Sequence, residues 1–262
     1  GSTKARRRFL GEMRAAGFNA VAIALKDYDG QVFVKGVSLA EKSGAYRNAI
    51  PDLAAAVKDF KDQGVYAIAR IAIFKDDHLA RARPDLAVHF PDGRIWTNDK
   101  GTAWVDPYRK EIWEYAVDIA SRAALAGFDE IQYDYIRFPS DGKTRQCRYS
   151  RADHSPATAA AALREMLTHT RARLPGVKLS ICTFGLTTSV DNGMGIGQLL
   201  GDMANLVDYV SPMMYPSHYA KGEYGLKNPN RQPYLTIHRG IKDALLRLGG
   251  APRTLRPYLQ DF

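Results

Sequence analysis

Residues 51–74 read PDLAAAVKDFKDQGVYAIARIAIF and combine a helix pattern with a strand pattern. The first part, 51–63, is amphipathic, has a proline near its start, and is followed by Gly64, as at the end of many helices. The second part, 65–74, is an apolar run of strand length, typical of a parallel strand that is buried on both faces. A helix that leads directly into such a strand is one unit of an α/β fold.

The same alternation extends along the chain in both directions. Further strands are predicted at 19–26, 130–138, 177–184, 206–215 and 254–262, and helices at 4–16, 107–126, 156–174 and 234–248, with a short helix after the glycine-rich segment 191–197. Six strands with helices between them predict a (β/α)8 TIM barrel in which the first and last strands are absent from this chain. We expect residues 1–262 to form a single domain of this kind.

The composition is that of an ordinary globular chain of 262 residues, 45% hydrophobic and 25% charged, with a formal net charge of +9. The basic residues are scattered among acids, without a nucleic-acid-binding signature, so we expect no nucleic-acid partner. No apolar stretch reaches the roughly 18 residues of a membrane span. Cys147 and Cys182 are either free thiols or one disulfide, and the sequence does not determine the oligomeric state.

Polar side chains follow the predicted strands. Catalytic groups of (β/α) barrels lie at the carboxyl ends of the strands, because the packed interior leaves no room for them elsewhere. Carboxylates, bases and aromatic rings together are typical of a sugar site, since rings pack against sugars while charged groups bind hydroxyls. We expect substrate binding by Lys26, Lys75, Asp76, Trp104, Tyr135, Arg137, Tyr215, His218 and Gln260.

Two of these side chains also have simpler explanations. Trp104, together with Trp96, forms either a stacking platform or the small core of the long insertion 75–106. A lone histidine such as His218 is more often structural than substrate-binding. No cofactor is expected, and no residues have the spacing of metal ligands.

Asp134 is the leading catalytic candidate. It lies inside the predicted strand 130–138 (EIQYDYIRF), where an unpaired carboxylate would carry a large desolvation cost. We expect it to pair with Arg137 or with a lysine at a neighbouring strand end. Pairing would keep it ionised and suited to act as a nucleophile or base, or to stabilise an oxocarbenium-like transition state. The alternative is a purely structural ion pair in the barrel mouth.

Glycoside hydrolysis normally needs a second carboxyl group that protonates the leaving group. Asp261 is the first candidate because it would lie across the mouth from Asp134. Asp27 is the next candidate, followed by Asp76 and Asp191. Each also has a structural explanation, which is turn capping for Asp27, helix capping for Asp76 and loop hydrogen bonding for Asp191.

Several segments resemble one known family, the glycoside hydrolase domains catalogued as DUF4015. The segments that carry the resemblance are NAVAIALKDYDG (19–30), IARIAIFKDDHLA (68–80), WVDPY (104–108), GFDEIQYDYIRFP (127–139), VSPMMYPSHY (210–219) and RPYLQDF (256–262). The resemblance implies a TIM barrel, a bacterial and often exported protein, and a polysaccharide substrate. Gly1 and Ser2 look like the remnant of a cleaved tag, and we expect a periplasmic or secreted location.

The chain is also distantly similar to family 18 chitinases, whose fourth strand reads DxxDxDxE and whose sixth strand carries MxY. The corresponding residues here are Asp129, Gln132, Asp134 and Ile136, followed by Met213 and Tyr215. The position of the chitinase acid is therefore held by isoleucine, which cannot donate a proton. This similarity implies the chitinase architecture with a different acid.

The expected function is hydrolysis of a bacterial polysaccharide or exopolysaccharide. The main alternative is a barrel that binds carbohydrate without catalysis, and it is favoured by the unplaced acid. A polysaccharide deacetylase or lyase would use the same face, although a deacetylase would need a metal site that the sequence does not indicate.

Overall fold

The computed structural model describes residues 3–250 and 254–261, so residues 1–2, 251–253 and 262 lie outside the described part of the chain. Its sheet is parallel, and its strand order follows the chain. The strands are β1 (Ala20–Lys26), β2 (Tyr66–Ala72), β3 (Glu130–Asp134), β4 (Lys178–Phe184), β5 (Tyr209–Met214) and β6 (Tyr258–Leu259). The sheet curls into part of a barrel, which confirms the predicted fold class.

Helices connect the strands and flank the sheet. They are α1 (Thr3–Ala15), α2 (Ser38–Lys42), α3 (Leu53–Lys61), α4 (Asp77–Ala82), α5 (Lys110–Leu125), α6 (Pro156–Arg173), α7 (Leu200–Ala204) and α8 (Pro233–Arg247). Capping defines several helix starts: the Asp52 side chain accepts a hydrogen bond from the Ala55 amide at α3, and Ser155 forms a capping box with Thr158 at α6. Within the described residues, no helix is both long enough and apolar enough to cross a bilayer.

The third strand is shorter than predicted. It ends at Asp134 because Tyr135 has a left-handed backbone conformation, with φ of +49°, which interrupts the extended chain. Arg137 consequently lies in the following loop rather than in the strand. The last strand is also short, with two residues where 254–262 was predicted.

Polar side chains occupy the concave face of the sheet. Alternation along β3 directs Glu130, Gln132 and Asp134 to this face, while Ile131 and Tyr133 are buried on the other face. Glu130 accepts hydrogen bonds from three residues across the sheet, namely Tyr66, Ser180 and Arg256. Gln132 accepts one from the Tyr258 hydroxyl at 2.7 Å. Hydrogen bonds therefore connect the strands in the buried interior next to Asp134, and they hold β3 in a fixed position.

The insertion after β2 has its own core. Trp96 and Trp104 are both 0% exposed, so these rings form the inside of the insertion rather than a stacking platform. Cys147 and Cys182 are both buried and free, which excludes a disulfide between them in this structure.

Candidate active site at the carboxyl ends of the strands

Asp134 is the last residue of β3 and is 5% exposed. Arg70 of β2 donates to its Oδ2 atom from Nε at 2.9 Å and also from Nη2. The Oδ1 atom accepts the Tyr135 amide at 2.7 Å. Both carboxylate oxygens are thus bound by donors, and two of these donors belong to the guanidinium of Arg70. The prediction that Asp134 pairs with Arg137 or with a lysine at a neighbouring strand end was wrong. The residue that binds it is Arg70, on the neighbouring strand.

Arg70 also approaches a second carboxylate. Its Nη1 atom lies 3.9 Å from Oδ1 of Asp27, which directly follows β1 and has a side chain 38% exposed. Burial acts to lower the pKa of Arg70, but the charge and hydrogen bonds of Asp134 outweigh it and raise the pKa. One guanidinium therefore links the carboxylates at the ends of β1 and β3. Arg70 was not among the predicted site residues. The feature that could have indicated it is its position as a lone cation within the apolar run 65–74.

Arg137 has a different environment from the one predicted. It is 6% exposed, and its guanidinium carbon lies 4.8 Å from the ring centre of Trp104 and 4.5 Å from that of Phe184. Nη1 donates to Ser140 Oγ at 2.7 Å, and burial lowers the pKa of Arg137 to about 10. The prediction that Trp104 binds substrate is not supported, because this ring is fully covered. Trp104 instead supports Arg137 and packs edge-on against Tyr135.

Lys75 lies between two aromatic rings at the mouth of the barrel. Its Nζ atom is 4.8 Å from the ring centre of Tyr28 and 5.1 Å from that of Tyr135. Tyr28 is 49% exposed, so its ring is accessible to a ligand. Burial lowers the pKa of Lys75, partly against the charge of Asp141. Tyr28 was not among the predicted binding residues, although it stands directly after Asp27 in the turn that ends β1.

The pKa of Lys75 leads to a pH-dependence prediction. Because burial destabilises its ammonium form, the positive charge of Lys75 is lost at a lower pH than that of an ordinary lysine. If the ammonium binds substrate, kcat/KM should fall on the alkaline side, and Lys75→Arg should move that fall to higher pH. The measurement is kcat/KM from about pH 7 to 11, with Lys58→Arg on the exposed face of α3 as the control. An identical alkaline limb in wild type and Lys75→Arg would show that the ammonium does not bind substrate.

Tyr215 directly follows β5, at the same edge of the sheet as Asp134. Burial raises the pKa of Tyr215, and the nearby Asp134 charge raises it further. Its ring lies 5.4 Å from that of His218. Tyr258 of β6 has its pKa raised by burial in the same group of residues, so both hydroxyls remain protonated donors at neutral pH. The charge of Asp134 thus acts on both Tyr215 and Tyr258, and substrate binding by Tyr215 stays a prediction.

Lys26 and Asp76 form a buried ion pair with each other. They are 1% and 0% exposed, and Lys26 Nζ lies 2.9 Å from Asp76 Oδ2. Nζ also donates to the Ala72 carbonyl at 2.6 Å, while Asp76 Oδ1 accepts the Leu79 amide and caps α4. The prediction that both side chains bind substrate is not supported, because neither has surface left for a ligand. The capping explanation of Asp76 is confirmed.

Removing the Lys26 charge tests this structural role. Lys26→Met leaves the Asp76 carboxylate buried without its cation, and we expect the free energy of unfolding to fall by about 3 kcal/mol. Denaturant titration measures the loss. Lys58→Met is the matched control, because Lys58 forms an exposed ion pair with Asp62 and its removal should matter little. Equal stability of the two variants, with substrate binding lost only in Lys26→Met, would restore Lys26 as a binding residue.

Other predicted residues lie near the end of the chain. Gln260 accepts the Ser217 amide at 3.1 Å, whereas Asp261 is exposed. Because Tyr258 points inward, strand alternation would place Gln260, rather than Asp261, on the same side. Asp191 is 86% exposed and pairs with Arg247. Of the candidates for the second carboxyl group, Asp27 is the one that the structure connects to Asp134.

Comparisons with known proteins agree with this architecture. The family model DUF4015, described as "Putative glycosyl hydrolase domain", matches residues 1–262. A hypothetical protein from Ruminiclostridium thermocellum is 31% identical, with a TM-score of 0.62, and the match covers 69% of this chain and 92% of that one. None of the curated proteins matches the chain.

Two more distant structures share the fold. The glycoside hydrolase domain of PgaB (BpsB) from Bordetella bronchiseptica is 14% identical, with a TM-score of 0.64, over 97% of this chain and 78% of that one. The α-galactosidase TtGalA from Thermus thermophilus is 17% identical, with a TM-score of 0.56, over 95% of this chain. The match spans 46% of the length of TtGalA. At these identities the likeness concerns the fold alone.

Proposed function

Because the chain belongs to the glycosyl hydrolase domain family DUF4015, we propose that it cleaves glycosidic bonds of a polysaccharide with Asp134 as nucleophile or base. One observation carries this proposal. Asp134 ends a barrel strand, and both of its carboxylate oxygens are bound by donors. An ionised carboxylate at this place can attack an anomeric carbon, activate a water molecule, or stabilise positive charge on the sugar ring.

We assign the role of general acid to Asp27 within this proposal. Asp27 and Asp134 both lie within ion-pair distance of one guanidinium, that of Arg70, so the two carboxyl groups approach the same point of the barrel mouth. Asp27 is the more exposed of the two and can reach a leaving group in the mouth. Ile136, at the position of the chitinase acid, is fully buried and contributes no proton. The arrangement therefore favours a carboxylate pair formed across strands.

A bacterial polysaccharide or exopolysaccharide fits the proposed site. Tyr28, Tyr135 and Lys75 offer aromatic faces and a cation at an open mouth, which suits sugar rings with several hydroxyls. Such polymers lie outside the cytoplasm, so the proposal includes a periplasmic or secreted location. This location is supported by the proposed substrate class and by the resemblance to the DUF4015 family.

The test is a screen of bacterial and plant polysaccharides for newly formed reducing ends. Release from at least one polymer is the expected result. NMR of the first product anomer then separates the two mechanisms, since retention requires carboxyl groups about 5 Å apart and inversion about 6.5–9.5 Å. Binding of a glycan without any release would overturn the hydrolase proposal in favour of a carbohydrate-binding barrel.

A further inference from the structure

A cleft with a volume of about 610 Å³ lies beside the candidate active site. It is bounded by the loop that follows β3 and by the segment that follows β4. Three arginines and a histidine line it, and its lining among the described residues includes no aspartate or glutamate. The basic members are Arg145, Arg148, Arg151 and His154. This wall is therefore cationic, in contrast to the carboxylate pair at Asp134.

Two of the arginines have no acidic neighbour to balance them. Arg151 forms an ion pair with Asp153 at 2.6 Å. Arg145 and Arg148 are exposed, and no carboxylate in 3–250 or 254–261 forms an ion pair with either. Nη1 of Arg148 donates to the Cys147 carbonyl at 3.0 Å, which orients the guanidinium without neutralising it. Two positive charges are consequently free to bind anions in the cleft.

Aromatic side chains also line the cleft. The ring of Tyr149 lies 4.3 Å from that of His154 and 5.2 Å from that of Phe138. The Tyr108 hydroxyl holds His154 through Nδ1 at 2.8 Å. Aromatic rings pack against the apolar faces of sugars, and arginine binds carboxylates with two parallel N–H groups. The combination suits a sugar that carries an acid.

The cleft shares a wall with the candidate active site. Phe184 and Ser140 line the cleft, and both contact the guanidinium of Arg137. The same guanidinium lies 5.3 Å from the ring centre of Tyr135, the residue after Asp134. Arg137 therefore contacts residues of both places, so the cleft adjoins the candidate active site.

We propose that this cleft is a subsite for the carboxylate groups of an acidic polysaccharide, so that the substrate is a uronic-acid-containing glycan. The inference rests on the proposed function, because it assigns the substrate class of the same site. The planar fork of arginine matches a carboxylate better than a neutral hydroxyl. The two unbalanced arginines, Arg145 and Arg148, provide this recognition.

The test measures binding in the Asp134→Asn variant, so that hydrolysis does not consume the ligand. The probes are oligosaccharides of galacturonate, alginate and hyaluronan, with methyl-esterified oligogalacturonate as the uncharged match of the first. We expect at least one acidic oligosaccharide to bind at least tenfold more tightly than the uncharged probe, with affinity that falls as salt is raised. Arg145→Gln with Arg148→Gln should weaken that binding at least tenfold. The control pair Arg7→Gln with Arg8→Gln removes the same charge from α1 and should leave binding unchanged.

Three results would overturn the subsite. They are equal binding of the acidic and esterified forms, equal loss in the two double variants, and no binding of any of the three acidic oligosaccharides. None of these results affects hydrolysis of a neutral polysaccharide, so the proposed function would stand. Conversely, full activity of Asp134→Asn would remove the catalytic assignment and leave acid-selective binding in place.

Discussion

Replacing Asp134 by asparagine is expected to lower kcat on the cleaved polysaccharide by about 10³–10⁵-fold. The amide keeps the size of the side chain and can still accept a hydrogen bond from Arg70, but it is neither a nucleophile nor a base of useful strength. Rates of reducing-end formation with purified variants measure the loss. Circular dichroism and thermal unfolding establish that the variant is folded.

Asp92→Asn is the matched control for this change. Asp92 lies on the exposed surface of the insertion, where it pairs with Arg94, so the same substitution should leave kcat unaltered. Wild-type turnover in Asp134→Asn would show that the pair with Arg70 is structural. A loss of folding in Asp134→Asn, with activity retained by the folded fraction, would give the same conclusion.

Replacing Asp27 by asparagine is expected to lower kcat by about 10²–10⁴-fold on the natural polysaccharide, which is the usual contribution of a general acid. The loss should be much smaller on a dinitrophenyl glycoside of the same sugar, because that leaving group departs without being protonated. The comparison of the two substrates is the measurement. It separates loss of a proton donor from loss of binding or of folding, both of which would slow the two substrates alike.

Asp261→Asn provides the control for this assignment, since Asp261 was the first candidate from the sequence. It is exposed, and no described contact links it to Asp134. We expect near wild-type turnover on both substrates. Selective loss of the natural substrate in Asp261→Asn, with Asp27→Asn unaffected, would transfer the role of acid to Asp261.

Periodicity along the chain was sufficient to predict the barrel. Alternation of amphipathic helices with apolar runs depends on local spacing, so the strand containing Asp134 could be located from the sequence. The end of this strand could not be predicted, because Tyr135 has a left-handed backbone conformation that is rare for a residue other than glycine. Arg137 was therefore assigned to a strand that had already ended.

The partner of Asp134 depends on strand pairing rather than on local pattern. Arg70 pairs in register with Gln132, two residues before Asp134, and a sequence alone does not provide this register. A register shift between Ala24 and Lys26 similarly turns the Lys26 side chain toward the helices, where Asp76 binds it. Both features arise from contacts between segments distant along the chain.

The free thiol of Cys182 affects how this site can be labelled. It lies on β4, which pairs with β3, and is 2% exposed. Its pKa is raised well above the ordinary value, first by burial and then by the Asp134 charge. Alkylating reagents react with thiolates, so they should leave Cys182 unmodified in the folded protein. Epoxide-bearing sugars that target carboxylates could then label the proposed pair, Asp27 and Asp134, without a competing reaction at this thiol. The same burial makes this cysteine a poor sensor of oxidants.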